Sequence, residues 1–315
     1  MKKPLSSSKG LIVGLARNCE DVIEREVLEI SSALSKAKTL NLLIIESDSY
    51  YRTVTTLEKL SENNDFEFIT LENLRNQYPK RTERIAICRN RYLEELRTRK
   101  EYKYIDYVVV ADLDGVNSEL TAIAVESCWK LSEDWDACFA NQSKAYYDIW
   151  AVRHKRWCPN DCWQTYNFLY SNGVSKFSAL QAAVHSRMIS ISNDKDPIEV
   201  DSAFGGLGIY KKSAISLGTY VGMDDNNEEF SEHVYLHKVM CDKGMRLYIV
   251  PSLINCGWNE HKKLKSIARM KARMRHSIIA LTTLFVSKEA QEYFGQVIMG
   301  CPKYLINHPV REGKS

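Results

Sequence analysis

Two aspartates separated by a single residue, Asp112 and Asp114, are the side chains in this sequence best placed to do chemistry. They directly follow Tyr107 to Ala111, the most apolar strand-sized segment of the chain. Carboxylate oxygens are hard ligands that suit Mn²⁺ or Mg²⁺, and such a cation neutralises charge that develops on a leaving diphosphate. Asp-x-Asp pairs also occur on solvated loops. The position after a buried strand is what makes this pair a predicted divalent-cation site.

A histidine beyond the last predicted strand offers a third ligand. His261 ends the run Trp-Asn-Glu-His at 258–261. A neutral imidazole is a competent ligand for Mn²⁺, so we predict a metal site made of Asp112, Asp114 and His261. An isolated histidine is otherwise structural or simply exposed, and that alternative stays open.

An acidic segment at 228–233, Glu-Glu-Phe-Ser-Glu-His, begins a predicted helix. In the structural interpretation, Ser231 is the N-cap and Glu232 complements the helix dipole. Glu232 is also a candidate catalytic base or acceptor contact. His233 and His237 share one helical face, but no glutamate follows the first of them, which disfavours the zinc site of a metalloprotease.

The elements that must position these residues can be read from the first half of the chain. Predicted strands lie at 11–15, 41–45, 66–70 and 107–111, and predicted helices lie at 23–34, 51–60 and 85–96. This alternation predicts a parallel sheet with crossover helices. Open sheets of this kind bind ligands outside the carboxyl ends of their strands. We therefore expect Arg17, Glu46 and Asp112 at one rim.

The pattern is looser beyond about residue 135. Strands are predicted at 137–140, 149–152 and 245–250 and a helix at 232–243, with a long polar stretch through 157–200. Gly205 and Gly206 lie in Gly-Gly-Leu-Gly, which lacks the spacing of a dinucleotide fingerprint. They indicate either an ordinary turn or a close approach of the backbone to a ligand. We predict one continuous domain over 1–262 and a C-terminal extension over 263–315.

Composition excludes several classes of protein. The chain has 315 residues, of which 44% are apolar and 26% charged, with a formal net charge of +3, so neither disorder nor a general affinity for nucleic acid is favoured. Nine scattered cysteines are typical of reduced thiols. Neither a signal peptide nor a membrane span is expected, because the longest later apolar run covers only 278–286. These features favour a cytoplasmic protein.

Basic and apolar residues alternate at helical spacing over 262–286. This pattern predicts a basic amphipathic helix, and its more common form is a helix packed on the domain with a solvated face. The alternative is peripheral contact with an anionic membrane, on its inner face.

Eight segments in chain order resemble the GT-A glycosyltransferases, and within them the fungal capsule-associated α-1,3-mannosyltransferase group. They are LIVGLARN, LLIIESDS, RIAICRNRYLEEL, YVVVADLDG, YYDIWAVRH, SAFGGLGIYK, SEHVYLH and NCGWNEH, over about residues 10–262. The resemblance implies an α/β GT-A fold, Rossmann-like, with a mostly parallel central sheet flanked by helices and a C-terminal helical extension. It implies a metal-dependent enzyme that moves a hexose or similar sugar from a nucleotide-sugar donor to a glycan or lipid-linked glycan acceptor.

The resemblance also assigns expected roles to individual residues. Donor contacts are implied for Ala16, Arg17, Glu46, Arg84, Arg89, Asn90, Asp112, Asp148, Trp150 and Arg153, and acceptor contacts for Gly205, Gly206 and Glu232. Asp112, Asp114 and His261 are implied metal ligands, and Asp114 is also an implied catalytic residue. Glu232 is the implied base if the reaction inverts the anomeric centre, and it orients the acceptor if the reaction retains it; the capsule-related group is expected to retain.

Two departures and two alternatives accompany this interpretation. Relatives more often carry small polar or acidic residues where this chain has Tyr-Tyr-Arg at 50–52, and we recognise no match in the group for the stretch 157–163. A nucleotidyltransferase acting on sugar phosphates would share the sheet and the carboxylates, but it usually has a glycine- and lysine-rich loop that LIVGLARNCEDV lacks. A non-catalytic sugar-nucleotide-binding module would tolerate loss of the three metal ligands, all of which are present.

Overall fold

The computed structural model describes residues 2–63 and 65–257. His261, the boundary near residue 262 and the basic stretch 262–286 lie outside the described residues. The described residues fall into two compact units, one formed by residues 2–159 with 190–257 and the other including 160–189.

The first unit contains an eight-stranded sheet. Its strands are β1 (Lys9–Ala16), β2 (Thr39–Glu46), β3 (Phe66–Thr70), β4 (Tyr107–Asp112), β5 (Ala137–Gln142), β6 (Ile198–Val200), β7 (Leu207–Lys211) and β8 (Leu247–Cys256). Their order across the sheet is β3-β2-β1-β4-β7-β5-β8-β6. Only β6 and β7 run antiparallel to their neighbours. The predicted α/β class with a mostly parallel central sheet is therefore confirmed.

Helices of the first unit cover both faces of this sheet. They are α1 (Ile23–Ala33), α2 (Tyr51–Leu60), α3 (Arg81–Thr98), α4 (Ala122–Lys130), α7 (Lys212–Ile215) and α8 (Glu232–Asp242). The second unit contains α5 (Cys162–Ser171) and α6 (Lys176–Ala183). Strand residues alternate between two faces, so a strand that is apolar throughout needs cover on each. On one face Ile12 and Val109 pack with Ile30 of α1. On the other, α3 lies against β1 and β2.

The described part of the second unit is a short helical hairpin, α5 followed by α6. Asp161 caps α5 by accepting hydrogen bonds from the backbone N–H groups of Trp163 and Gln164, at 2.8 and 3.2 Å. Ser175 caps α6 in the same way. Both helices fall in the polar stretch 157–200, where the sequence pattern did not indicate regular structure.

The predicted strand at 149–152 is wrong, because these residues form a turn. Ile149 and Val152 are almost fully buried, and the backbone N–H of Val152 donates to the Ile149 carbonyl at 3.3 Å. A buried turn produces the same apolar signal as a short strand.

The sequence analysis predicts reduced cysteines and expects no membrane span. The eight cysteines within the described residues are all free thiols. Within residues 2–63 and 65–257, no helix has the length and apolar character needed to cross a bilayer.

Candidate functional site

A cleft of about 280 Å³ opens at the carboxyl ends of β1, β2 and β4. The strand register pairs Ala16 with Glu46 and Leu15 with Asp112, so the three strand ends meet at one edge as predicted. The cleft is lined by Leu15, Ala16, Arg17, Cys19, Ile45, Ser47, Asp48, Arg81, Arg84, Ile85, Cys88, Arg89, Asp112, Leu113 and Asp114. Its volume is near the lower end of the roughly 300–1,000 Å³ of small-molecule sites.

Asp112 and Asp114 both line this cleft, as the strand-end position predicted. The cleft wall removes water from Asp112 and raises the pKa of its carboxyl to about 7, although 40% of the side-chain surface is still exposed. Arg89 opposes this shift in pKa, whereas Asp114 and Glu232 add to it. Asp114 in the cleft and the buried Glu232 therefore both add negative charge near Asp112, where a cation would stabilise the carboxylates.

Arg89 is the buried centre of the acidic end. Its Nε donates to Glu232 Oε1 at 2.9 Å and its Nη2 donates to Asp112 Oδ1 at 3.2 Å. The guanidinium carbon lies 5.0 Å from the centroid of the Phe204 ring and 5.6 Å from that of Tyr220. Burial works against the charged guanidinium, yet neighbouring groups hold the pKa of Arg89 well above its ordinary value. The family resemblance implies donor contact for Arg89, and in the structure Arg89 links two acidic side chains.

Two other arginines of the cleft are exposed. Arg17 follows β1 and Arg81 begins α3, and both side chains line the cavity. Among the described residues, neither guanidinium forms an ion pair. Arg84 is different, because its Nη1 donates to the carbonyls of Tyr78 and Pro79, each at 2.7 Å. Arg17 and Arg81 are therefore better placed than Arg84 to bind an anionic ligand.

The acidic residue that lines the cleft after β2 is Asp48 rather than the predicted Glu46. Glu46 Oε1 accepts from the Ser49 backbone N–H at 3.0 Å and its Oε2 accepts from the Thr70 hydroxyl. Asp48 Oδ2 lies 3.5 Å from Arg84 Nε and accepts no hydrogen bond from the described residues. Glu46 thus organises the loop that presents Asp48, and its direct contact with a nucleotide stays a prediction.

Asn90 turns away from the cleft and holds a neighbouring loop. Its side-chain amide donates to the Tyr220 carbonyl at 2.8 Å and accepts from Tyr220 N at 2.8 Å and Thr219 Oγ1 at 2.9 Å. Trp150 and Arg153 are also absent from the cleft lining. Arg153 Nη1 donates to the carbonyls of Trp150 and Val152 at 2.9 and 2.8 Å. The positions of these three residues give them structural contacts, while their donor roles stay predictions.

A buried polar network lies beneath Asp112. Asn117 Nδ2 donates to the Asp112 carbonyl at 2.7 Å and to Glu26 Oε2 at 2.8 Å. Asn117 Oδ1 accepts from Asn255 Nδ2 at 3.3 Å, and the same nitrogen lies 2.9 Å from the Gly205 carbonyl oxygen. Burial raises the pKa of Glu26 to about 6. The network ties the Asp-x-Asp loop to the last strand and to the glycine pair.

Contacts within the protein fix the backbone conformation of the glycine pair. Gly205 and Gly206 have φ values of 71° and 87°, which side chains rarely adopt. A Cβ on Gly206 would lie 2.7 Å from the Tyr147 hydroxyl oxygen. Asp148 Oδ2 accepts from the Gly205 N–H at 3.0 Å, and the Gly206 carbonyl accepts from the Asp112 N–H at 2.9 Å. The pair therefore joins Asp148 to Asp112, and acceptor contact by the glycines stays a prediction.

Glu232 is the first residue of α8 and is 7% exposed. The Glu232 carboxylate is held by its ion pair with Arg89 Nε, and His233 Nε2 lies 3.5 Å from the same oxygen, Glu232 Oε1. His237 Nδ1 and Nε2 are each 2.9 Å from a hydroxyl oxygen, of Ser202 and Tyr210 respectively. Burial lowers the pKa of His237 to about 3. This histidine is a neutral side chain, and hydroxyl groups of the protein lie within hydrogen-bond distance of both its ring nitrogens.

Sequence reasoning missed Asp48 and Arg81, although each carried a signal. Asp48 is an acidic residue just beyond a buried strand, with a left-handed φ of 57°. Arg81 belongs to a basic pair, Lys-Arg at 80–81, at the start of a helix. Asn117 and Asn255 carried no signal, because single amides have no periodicity.

The donor set of the cleft fits a hard divalent cation. Asp112 and Asp114 supply carboxylate oxygens beside a third acidic group, and Mg²⁺ is commonly held by one or two carboxylates together with substrate phosphates. Within residues 2–63 and 65–257, no group of three or more histidine, cysteine, aspartate or glutamate side chains is arranged so that it could hold a metal ion.

Comparisons by sequence found no matching protein-family profile and no matching curated protein. Among solved structures, the chain is similar to a mannosyltransferase from Pyrobaculum calidifontis in complex with GDP-Man and Mn²⁺, with 14% identity and a TM-score of 0.44. That match covers 81% of this chain but only 60% of the mannosyltransferase.

Two further likenesses are of the same order. TarS 1-349 from S. aureus has 9% identity and a TM-score of 0.43, over 92% of this chain and 69% of that one. Glucosyl-3-phosphoglycerate synthase from Mycobacterium tuberculosis, in complex with uridine-diphosphate, has 11% identity and a TM-score of 0.38, over 80% and 69%. All three TM-scores are below 0.5, so the function of this chain is inferred from the geometry of its own cleft.

Proposed function

We propose that the protein is a metal-dependent glycosyltransferase. In this proposal the cleft binds a nucleotide-sugar donor, and a hexose or similar sugar moves to a glycan or lipid-linked glycan acceptor. One observation carries the proposal: Asp112 and Asp114 share a cleft with two exposed arginines, Arg17 and Arg81. A diphosphate bridged to a divalent cation has both charges that this arrangement complements.

Each side chain has a role in this proposal. Asp112 and Asp114 hold Mn²⁺ or Mg²⁺, with His261 as the proposed third ligand. The cation supplies charge stabilisation for the departing nucleoside diphosphate. Arg17 and Arg81 bind diphosphate oxygens through their forked donors.

The remaining roles concern orientation. Asp48, whose Oδ2 accepts no hydrogen bond from the described residues, is proposed to accept from a donor group of the nucleotide. Arg89 fixes Asp112 and Glu232 relative to each other through its two hydrogen bonds. Glu232 acts as base if the reaction inverts, or orients the acceptor hydroxyl if it retains.

Calorimetric titration with nucleoside diphosphates and nucleotide sugars, with and without Mn²⁺, tests this proposal. Metal-dependent binding of one nucleotide is expected, and Asp114→Ala should abolish its dependence on Mn²⁺. Asp242→Ala is the matched control, because that carboxylate is exposed and pairs with Lys238 on α8. Acceptor-dependent release of nucleoside diphosphate would separate a transferase from a binding module. Binding that ignores both the metal and Asp114 would overturn the proposal.

A further inference from the structure

One face of α5 carries a row of aromatic rings. Trp163, Tyr166 and Tyr170 recur at steps of three and four residues, so their side chains share one side of the helix. The rings of Trp163 and Tyr166 have centroids 5.8 Å apart at an interplanar angle of 79°. Those of Tyr166 and Tyr170 are 6.0 Å apart and nearly parallel, at 4°. We call these three residues the aromatic row.

Both ends of the aromatic row are exposed to solvent, and Tyr166 between them is half-buried. Trp163 is 38% exposed and Tyr170 is 54% exposed, whereas Leu169 of the same helix is 6% exposed. Large side chains left in water on a short helix cost hydrophobic free energy, so a contiguous set of them indicates a binding surface.

The charge of the helix narrows the class of ligand. Residues 162–171 are Cys-Trp-Gln-Thr-Tyr-Asn-Phe-Leu-Tyr-Ser, with no acidic or basic side chain. Anionic lipids and nucleic acids are bound through lysine and arginine, which this helix lacks. Gln164 and Asn167 are exposed and offer amide donors and acceptors. The surface therefore suits a ligand that is neutral and rich in hydroxyl groups.

The small area of the α5 face narrows the class of ligand further. Ten residues of helix extend about 15 Å, and a helix with side chains is about 10–12 Å wide. One face of it offers far less than the roughly 800 Å² that each partner contributes to a stable protein interface. A short chain of sugar rings fits this dimension.

We propose that the aromatic row binds the neutral glycan portion of the acceptor. The C–H face of a sugar ring is apolar and weakly positive, so it packs on the negative face of an aromatic ring, while the sugar hydroxyls bond to Asn167, which is four residues from Trp163 and three from Tyr170 on the same side of the helix. This inference rests on the proposed glycosyltransferase function and adds the class of acceptor, which the cleft does not specify.

Saturation-transfer NMR on the full chain tests the proposal, with maltotriose, cellotriose, laminaritriose, chitotriose and α-mannotriose as probes. At least one trisaccharide should bind, and Trp163→Ala with Tyr170→Ala should weaken it about tenfold. Tyr170→Phe keeps the ring and should retain most of the binding. Tyr104→Ala, which removes a tyrosine that is 65% exposed elsewhere on the chain, is the matched control and should change nothing.

Nucleotide titration of the same samples separates this proposal from the function on which it rests. Intact Mn²⁺-dependent nucleotide binding without binding of any trisaccharide overturns the aromatic-row proposal alone. Trisaccharide binding without nucleotide binding supports a glycan surface and overturns the transferase. Binding to phosphatidylserine vesicles that is lost in the double variant would show a membrane surface instead, and equal trisaccharide affinity in that variant would remove the aromatic row from consideration.

Discussion

Two pairs of arginines line the same cleft and differ in their exposure to solvent and in their bonding partners. Arg84 and Arg89 are 8% and 3% exposed and bond to groups of the protein itself. Arg17 and Arg81 are exposed, and within residues 2–63 and 65–257 they form no ion pair. A buried arginine that is engaged on several sides builds the site, whereas an exposed one is available to a ligand. Residue type alone does not distinguish these two uses.

Removal of Arg89 should have the largest effect on stability. Arg89→Met would leave Glu232 and Asp112 without their shared cation in a crowded site, and loss of one partner from a buried pair costs about 3–5 kcal/mol. The free energy of unfolding in urea measures this effect. Arg81→Met is the control and should stay within about 0.5 kcal/mol of the parent protein. Equal losses in the two variants would erase the distinction between the pairs.

Removal of Arg81 should have the converse effect on binding. Hydrogen bonds to charged groups contribute about 1.5–3 kcal/mol, so Arg81→Gln should weaken binding of a nucleoside diphosphate roughly 10- to 100-fold. The corresponding nucleoside, which lacks the phosphates, should bind both proteins equally. Calorimetry with the two ligands makes the comparison. A parallel loss of nucleoside binding would show that Arg81 shapes the cleft rather than contacts phosphate.

Glu26 gives a smaller, pH-dependent test of the buried side of the site. Burial, with smaller contributions from Glu29 and Asp114, raises the pKa of Glu26 from 4.5 to about 6, so its contribution to stability is fully present below pH 4.5. It is lost as the pH rises through about 6, by roughly 2 kcal/mol. In Glu26→Gln that loss should vanish. Urea unfolding of both proteins at pH 4.5 and near pH 7 measures it, and a difference between them that is independent of pH would contradict this account.

Sequence reasoning succeeded where one element determines its own pattern. The strand at 66–70 and the helix at 51–60 match the observed bounds, because Phe66 and Phe68 alternate with the exposed Glu67 and amphipathic helices repeat every three or four residues. It failed at 149–152, where burial without regular structure produced the signal of a strand. It also missed α5, because exposed aromatic side chains on this helix mask the usual alternation between an apolar buried face and a polar exposed face.

The site shows the same division. Asp112 and Asp114 were found because a strand end is visible in the sequence. The sequence pattern could not show that Asp48 rather than Glu46 lines the cleft. That difference depends on the loop after β2, in which Ser49 and Thr70 donate hydrogen bonds to the Glu46 carboxylate. The link from Glu26 through Asn117 to Asn255 joins residues that no local pattern connects.

The place of β7 in the sheet affects the order in which the chain can fold during synthesis. One edge of β4 pairs with β7, which leaves the ribosome roughly 100 residues later. At about 5–20 residues per second, the apolar segment Tyr107–Asp112 waits roughly 5–20 s with that edge unpaired. An open apolar edge is where nascent chains aggregate, so the yield of soluble protein should respond to chaperone supply and to slow codons between these two strands.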